Sequence, residues 1–172
     1  MLKPLLIAAA FALVAAPASA EVVERSADHF VLRYEVNVVA APDDFPNALE
    51  HIGDWWNPAH TYSGDAHNLN LALDPGTCFC EALPNGTTFE HGAVDEYDPE
   101  TGVVIDAALG PLRGKTTLSN WSIGWSGQTL VMSYVVRGAG VGEWADPVDG
   151  VMGDQFSRLA RYLQYGPEDP AA

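Results

Sequence analysis

A single amphipathic segment near the C-terminus limits the possible folds of this chain most strongly. Within residues 148–163, seven apolar residues recur at helical spacing, and charged residues occupy the opposite side. Asp146-Pro147 is typical of a helix N-cap followed by proline at the first helical position. Gly166-Pro167 is typical of a helix end. The sequence therefore predicts one long helix whose apolar face must be buried against another element.

The segments before that helix have the pattern of short antiparallel strands. Alternating apolar residues in FVLRYEVNVV predict a long first strand over residues 30–39. Clusters of turn-forming residues, among them Pro84-Asn85-Gly86, separate the later apolar runs. Those runs predict further strands at residues 68–73, 77–83, 87–97, 103–109, 115–125 and 129–137. One sheet of six to seven antiparallel strands with one long C-terminal helix is an α+β fold, in which we expect a curved sheet to wrap around the helix.

A shorter helix is predicted between the first strand and the rest of the sheet. Ala41-Pro42-Asp43-Asp44 supplies the proline and the acidic residues that a first helical turn accepts. Apolar residues then recur at helical spacing up to Trp56, and Asn57-Pro58 ends the pattern. We therefore expect a helix from about residue 42 to residue 56.

The first twenty residues have the pattern of a secretory signal peptide. Lys3 gives a short positive region, residues 5–16 are apolar, and Ala18-Ser19-Ala20 is a small-residue cleavage site. The apolar run is about 12 residues, shorter than the roughly 20 that a membrane span needs. We therefore expect an exported protein, periplasmic or secreted, with no transmembrane segment after cleavage. Residues 21–165 have the size of one domain, and residues 166–172 are predicted to be a disordered tail.

The charge balance excludes two classes of partner. With 8 Lys+Arg against 23 Asp+Glu, the formal net charge is −15 at pH 7. Nucleic acids and anionic membranes both bind basic surfaces, so we expect neither as a partner. The segment GPLRGKTT, residues 110–117, is not a phosphate-binding loop. It has three rather than four residues between its glycines, and a strand rather than a helix is predicted after it.

The two cysteines, Cys78 and Cys80, are separated by one residue in GTCFCE. They share one face of a predicted strand, and Phe79 and Glu81 share the other. A disulfide is compatible with export but is geometrically poor between residues two apart on an extended strand. A zinc site would need His91 and a further histidine, and a Cys80–His91 nucleophile pair lacks an orienting group. The favoured interpretation is a reduced pair of small buried residues.

The hairpin after the cysteines determines which residue faces His91. A two-residue Asn85-Gly86 loop sets Cys80 opposite His91 and Glu81 opposite Glu90. Two carboxylates directly opposed are unfavourable unless they are solvated or share a proton. A loop one residue longer sets Glu81 against His91 instead, which is an attractive pair.

Five tryptophans, several of them at strand or helix ends beside loops, suit the walls of an apolar cavity as well as a core. Trp121 and Trp125 lie on one face of a predicted strand, Trp55-Trp56 ends the first helix, and Trp144 precedes the last. Core packing is the simpler interpretation for any one of them. Their number and placement together favour a cavity.

Two glycines in the first turns of the last helix support the same interpretation. Gly150 and Gly153 each cost the helix about 1 kcal/mol relative to alanine. They either keep space open above the sheet or permit a close backbone crossing, and we favour the open space.

The chain resembles the START/Bet v 1-like (SRPBCC) superfamily. It is most similar to exported members of the polyketide cyclase/dehydrase and lipid-transport branch. The order strand, helix, antiparallel strands and long C-terminal helix carries this resemblance over nearly the whole chain after residue 20. The matching segments are IGDWW (52–56), HTYSGDAHNL (60–69), LDPGTCFCE (73–81), EHGAV (90–94), ALGPL (108–112) and VDGVMGDQFSRLARY (148–162). The resemblance implies a helix-grip fold with a deep apolar cavity between the sheet and the last helix.

The resemblance also implies that a small hydrophobic molecule, lipid-like or aromatic, binds in that cavity. We expect no cofactor and no metal. The alternative is a cyclase- or dehydratase-like enzyme. In it, buried Glu81 or Glu90, with a raised pKa, acts as a general acid/base beside His91. No catalytic motif of a cyclase maps onto this chain residue by residue. The expected ligand-binding residues are Trp56, Tyr62, Cys80, Phe89, His91, Trp121, Trp125, Trp144 and Met152.

Overall fold

The computed structural model describes residues 19–167. The predicted signal peptide, apart from its last two residues, lies outside this range. So do residues 168–172 of the predicted tail.

Eight antiparallel strands form one open sheet in the order β1-β2-β8-β7-β6-β5-β4-β3. The strands are β1 (Ser19–Arg25), β2 (His29–Asn37), β3 (Leu69–Leu71), β4 (Cys78–Ala82), β5 (Thr88–Asp98), β6 (Gly102–Asp106), β7 (Leu118–Ser126) and β8 (Thr129–Arg137). The predicted α+β class with an antiparallel sheet and one long C-terminal helix is confirmed. β1 is the strand that the sequence does not predict, because it begins in the small residues that resemble a cleavage site.

The long helix α2 (Ala145–Tyr165) packs its apolar stripe against the inner face of this sheet. Tyr34 of β2 shows the contact: its ring lies 5.5 Å from the ring of Phe156, and its hydroxyl donates to Asp149 Oδ1 at 2.7 Å. The most buried residues of the stripe are Val148, Met152, Phe156, Leu159 and Leu163. Burying one such side chain stabilises a fold by about 1.5–3 kcal/mol. The stripe therefore holds the helix on the sheet.

The start of α2 differs from the prediction by two residues, since the predicted first helical residue is Pro147. The helix begins at Ala145, directly after a 3₁₀ turn at Val141–Trp144, and no side chain caps its first turn. Asp146, the predicted N-cap, instead forms an exposed ion pair with Arg25 at 2.8 Å. The end at Gly166 agrees with the prediction, since Gly166 has a φ of 78° and its N–H donates to the Tyr162 carbonyl.

The first helix is shorter than predicted. α1 spans Asp44–Glu50, and a separate 3₁₀ turn follows at Ile52–Asp54. Residues 66–67 pack directly on Gly53, so that a Cβ on Gly53 would lie 2.9 Å from the Ala66 carbonyl oxygen. This close approach between two segments favours the tighter turn over a continuous α-helix. A third segment, the 3₁₀ turn Pro58–His60, is capped by Asn57.

Strand β7 confirms the predicted period-two pattern of its apolar residues. Trp121, Ile123 and Trp125 are buried on the inner face. Trp125 stacks on Phe45 of α1 with 5.2 Å between ring centroids. These side chains form the floor on which the first helix and the loops after it rest.

Candidate functional site

The β4–β5 hairpin carries the candidate site, and its register changes by one residue along its length. Its pairs are Cys78–Ala93 and Phe79–Gly92, then Cys80–Glu90, Glu81–Phe89 and Ala82–Thr88. His91 is the extra residue of β5 at this shift and forms a β-bulge. The connecting loop has three residues, because Leu83 rather than Pro84 closes onto Thr87. Its last residue, Gly86, takes the left-handed conformation with φ 81°.

This register corrects one sequence prediction and explains another. Cys80 lies opposite Glu90, not His91, because the three-residue loop shifts the pairing by one. The longer-loop alternative, in which Glu81 meets His91, is closer to the structure. The two side chains are in contact, although the bulge brings them together rather than direct cross-strand pairing.

The alternation of β4 turns Phe79 and Glu81 inward and the cysteines outward. Phe79 and Glu81 are fully buried, while Cys78 and Cys80 are half-buried on the other face. The two cysteines form a disulfide, so the favoured prediction of reduced thiols is wrong. Their Cα atoms are 5.3 Å apart, whereas two extended residues would span about 6.6 Å. The strand is therefore contracted at this point, which brings the cysteines within bonding distance.

Glu81 accepts hydrogen bonds from two segments at once. The loop after the 3₁₀ turn at Pro58–His60 donates from the backbone N–H groups of Tyr62 and Ser63, the first at 3.1 Å. His91 Nε2 lies 2.9 Å from Glu81 Oε2. The carboxylate thus fixes the loop that covers the hairpin and orients the imidazole of the bulge.

Aromatic rings hold His91 on both sides. Phe79 stacks on the imidazole with centroids 4.9 Å apart, and Tyr62 stacks with centroids 5.7 Å apart. Phe79 also contacts Trp56 and Trp121 at 5.9 and 5.7 Å. The His91 side chain is only 8% exposed, because these rings pack against it.

The protonation states of the pair follow from these contacts. Burial raises the pKa of Glu81, but hydrogen bonds from Ser63, Tyr62 and His91 outweigh it and hold the pKa below its ordinary value. Burial lowers the pKa of His91, which the Glu81 carboxylate opposes only in part and the Arg113 charge reinforces. The pair at neutral pH is an ionised carboxylate and a neutral imidazole. The predicted general acid/base with a raised pKa is therefore wrong for Glu81.

A cavity of about 310 Å³ opens beside this pair. Its walls come from the loop after Trp56, the turn at residues 109–111, the first turns of α2 and His91. The lining residues are Trp56, Ala59, His60, Thr61, Tyr62, His91, Leu109, Gly110, Pro111, Pro147, Val148, Val151 and Met152. The volume is at the lower end of the roughly 300–1,000 Å³ that ligand pockets have. Among the described residues, no Asp, Glu, Lys or Arg belongs to this lining.

The structure brings four of the nine expected ligand-binding residues to the cavity wall, namely Trp56, Tyr62, His91 and Met152. Trp121 lies beneath the wall, fully buried against Trp56 and Phe79. Trp125 is in the core against Phe45. Both belong to the sheet's inner face at positions that other side chains cover.

The remaining three expected residues also lie off the wall. Cys80 points to the outer face with its disulfide partner. Phe89 packs beside Tyr62, with 4.4 Å between centroids, and under the guanidinium of Arg113. Trp144 lies under the Lys115 ammonium at 5.6 Å. Glu90, a candidate catalytic residue, is exposed, and its backbone carbonyl accepts a hydrogen bond from Arg113.

Two loops supply the lining residues that the sequence does not single out. Residues 59–61 and 109–111 lie in turns without helical or strand periodicity. The rejected phosphate-loop segment begins in the second of these turns, and its glycine and proline line the cavity. The apolar stripe of α2 contains Val148 and Val151, but periodicity does not distinguish a cavity wall from a core.

Residues 19–167 contain neither a cluster of metal-ligating side chains nor a membrane-spanning helix. No group of three or more His, Cys, Asp or Glu side chains is placed to hold a metal ion. Neither helix combines the length and the apolar character that a membrane crossing requires.

Comparison with known proteins shows the fold. No protein-family model and no curated protein sequence matches the chain. Among solved structures it is similar to DynU16, from the dynemicin biosynthetic locus, with a TM-score of 0.55 and 19% identity over 80% of this chain. A conserved protein of unknown function from Enterococcus faecalis, EF2215, gives a TM-score of 0.55 and 12% identity, covering 89% of this chain and 80% of its own.

A third similar structure is the di-domain ARO/CYC BexL from the BE-7585A biosynthetic pathway. Its TM-score is 0.53 with 14% identity over 84% of this chain. The chain has the helix-grip fold. It spans about half the length of DynU16 and BexL, 48% and 52% respectively. The cavity lies between the N-terminal turns of α2, the loops at residues 59–61 and 109–111, and the bulge at His91 in β5.

Proposed function

We propose that this chain binds a small, mainly apolar molecule in the 310 Å³ cavity. The observation that carries the proposal is a wall made mainly of aromatic, aliphatic and proline side chains, with no Asp, Glu, Lys or Arg among those described. Such a wall favours an apolar ligand through the area it removes from water. The leader-like residues 1–20 support binding in the periplasm or outside the cell.

Native mass spectrometry of the protein purified from its own compartment tests this proposal. We expect a co-purifying small molecule that is lost from the Val151→Trp variant, because Val151 lines the cavity and a larger side chain fills it. Gly150→Ala is the matched control: it changes the adjacent residue, which is exposed and outside the lining. An empty wild-type protein whose melting temperature no apolar compound raises would contradict the proposal.

The second candidate function is a lyase of the cyclase or dehydratase type, favoured by one observation. A buried carboxylate lies within hydrogen-bond distance of a cavity-lining histidine. Because Glu81 remains ionised, it orients His91, and His91 is the general base. The likeness to the ARO/CYC protein BexL adds support at the level of fold.

Incubation with the captured molecule distinguishes the two candidate functions. An enzyme converts that molecule to a product lacking one water or carrying a new ring, and His91→Phe abolishes the conversion. A binding protein returns the molecule unchanged.

A further inference from the structure

We propose that His91 makes this cavity selective for neutral ligands that donate a hydrogen bond, such as hydroxyl compounds, over carboxylic acids and over ethers or ketones. The inference rests on the proposed binding function and specifies the ligand class of the same cavity. It follows from the direction of one hydrogen bond and from the chemistry of the remaining wall.

In the Glu81–His91 hydrogen bond, His91 is the donor and Glu81 is the acceptor. Both oxygens of Glu81 accept from backbone N–H groups, Oε1 from Ser63 and Oε2 from Tyr62. An ionised carboxylate has no proton to donate. The hydrogen on the 2.9 Å contact therefore belongs to His91 Nε2. The lowered pKa of Glu81 agrees with this assignment.

The other ring nitrogen of His91, Nδ1, is therefore unprotonated. A neutral imidazole that carries its hydrogen on Nε2 has an unprotonated Nδ1, which accepts hydrogen bonds. Burial favours this neutral form, because it lowers the pKa of His91. Within residues 19–167, Nδ1 has no hydrogen-bond partner, although the side chain lines the cavity and is only 8% exposed. His91 thus offers the cavity one acceptor.

The other polar side chains of the wall either have hydrogen-bond partners within the protein or lie at the cavity's solvent-exposed mouth. The Thr61 hydroxyl donates to the Pro58 carbonyl and accepts from the Gly64 N–H, and the Trp56 N–H donates to the His60 carbonyl. The His60 side chain is at the solvent-exposed mouth, as is Tyr62, which is 55% exposed. Among the described side chains of the buried wall, His91 therefore supplies the one polar atom without a partner, and that atom accepts.

The described wall also disfavours a negatively charged ligand. A carboxylate ligand would lose its water in this cavity without gaining a cation, because the described wall contains no Lys or Arg. Arg113 is not a lining residue, and its guanidinium is engaged by the Phe89 ring and the Glu90 carbonyl. An ether or ketone offers only acceptors, which leave Nδ1 unpaired. A hydroxyl group satisfies Nδ1 and carries no charge.

Four naphthalene compounds test the selectivity on the wild-type protein at pH 7. They share one ring system and differ in one substituent: naphthalene, 1-naphthol, 1-methoxynaphthalene and 1-naphthoate. We expect 1-naphthol to bind about tenfold more tightly than 1-methoxynaphthalene, the effect of one additional hydrogen bond. We expect 1-naphthoate to bind more weakly than naphthalene. Tryptophan fluorescence or calorimetry measures the four affinities.

The His91→Phe variant keeps a ring between Phe79 and Tyr62 but removes the acceptor. We expect the preference for 1-naphthol over 1-methoxynaphthalene to disappear in this variant, whatever its affinity for naphthalene itself. In case this variant does not fold, ¹⁵N NMR of wild-type His91 gives an independent readout. We expect a hydrogen on Nε2, an unprotonated Nδ1, and a shift of the Nδ1 resonance when 1-naphthol is added.

The outcomes separate this inference from the function on which it rests. Equal affinities for 1-naphthol and 1-methoxynaphthalene, or tightest binding by 1-naphthoate, overturn the selectivity while the cavity remains a binding site. A His91 imidazole that carries its hydrogen on Nδ1 overturns the proposed selectivity directly. If no compound binds, naphthalene included, the proposed function fails together with the selectivity, and the tautomer measurement shows whether the hydrogen-bond direction was assigned correctly.

Discussion

Glu81 and His91 form a buried hydrogen-bonded pair, with 2.9 Å between Oε2 and Nε2, although their positions are not paired across the hairpin. The bulge at His91 turns the imidazole to the inner face, where the carboxylate already holds the loop at Tyr62 and Ser63. One side chain therefore links the hairpin, the covering loop and the cavity wall.

Replacing Glu81 with alanine should destabilise the protein by about 3 kcal/mol. Three donors lose their shared acceptor in a buried environment, and buried unpaired polar groups are costly. Urea unfolding measures the change. Glu90→Ala is the control, because that side chain is exposed on the adjacent strand, and we expect a change within about 0.5 kcal/mol. Similar values for both variants would contradict the linking role of Glu81.

Stability should fall as the solution becomes more acidic than pH 7. The folded-state pKa of His91 lies below its ordinary value of 6.5. The unfolded chain therefore takes up the proton first, and stability is lost below about pH 6.5. The folded-state pKa of Glu81 is also lowered, so its contribution is present above its ordinary value of 4.5 and is lost as the pH falls through the folded value.

The His91→Phe variant isolates the histidine part of this dependence. Glu81 and Arg113 are the charged groups that act on His91, and both remain in the variant. We expect the melting temperature of wild type to decline more steeply than that of the variant between pH 6.5 and the lower folded-state pKa of His91. Parallel curves would show that the pKa of His91 is not lowered in the folded protein.

The Cys78–Cys80 disulfide should contribute about 1.5 kcal/mol, the small value expected for so short a loop. Alkylation of the native protein followed by mass spectrometry should show no modified cysteine without a dithiol reductant and two after reduction. The Cys78→Ser/Cys80→Ser variant should also shift the NMR signals of His91, since the contracted strand faces the bulge. Unchanged His91 signals would mean that the bulge forms independently of the disulfide.

Two glycine-to-alanine changes should have opposite effects on stability. At Gly92, beside the bulge, a Cβ would lie 2.6 Å from the Ala107 Cβ and would also collide with the Asp106 carbonyl. We expect Gly92→Ala to cost about 1–3 kcal/mol. At Gly150 in α2 a Cβ meets nothing within 4 Å, so Gly150→Ala should stabilise by about 1 kcal/mol. Thermal unfolding of both variants under one set of conditions measures the contrast.

The Gly150 environment also answers a question left by the sequence. Within residues 19–167 no other segment lies within 4 Å of a Cβ placed at Gly150, but the residue is exposed, so it does not enlarge the cavity. The cavity exists because loops 57–65 and 109–111 arch over the first turns of α2. Asn57 ties the first loop to the helix through hydrogen bonds to Gln155 and Asp154. Contacts between residues about a hundred positions apart leave no local pattern in the sequence.

The predicted aromatic wall likewise shows what a local sequence pattern determines and what long-range packing determines. Period-two spacing correctly placed Trp121 and Trp125 on one face of β7, because side chains alternate on any strand. Whether that face meets a cavity or other side chains depends on what packs over it. Here Phe45, Trp56 and Phe79 cover both tryptophans.

Local periodicity by itself determined the α+β class, the long apolar stripe of α2 and the placement of the two cysteines on the face of β4 opposite Phe79 and Glu81. It did not determine which of these two faces turns inward. Tertiary structure decided four features: the one-residue register shift, the disulfide, the bulge at His91 and the positions of the loops that cover the cavity. The physical reason is that alternation depends only on backbone geometry. Register and bulges depend on the balance of loop closure, strand contraction and burial across the whole hairpin.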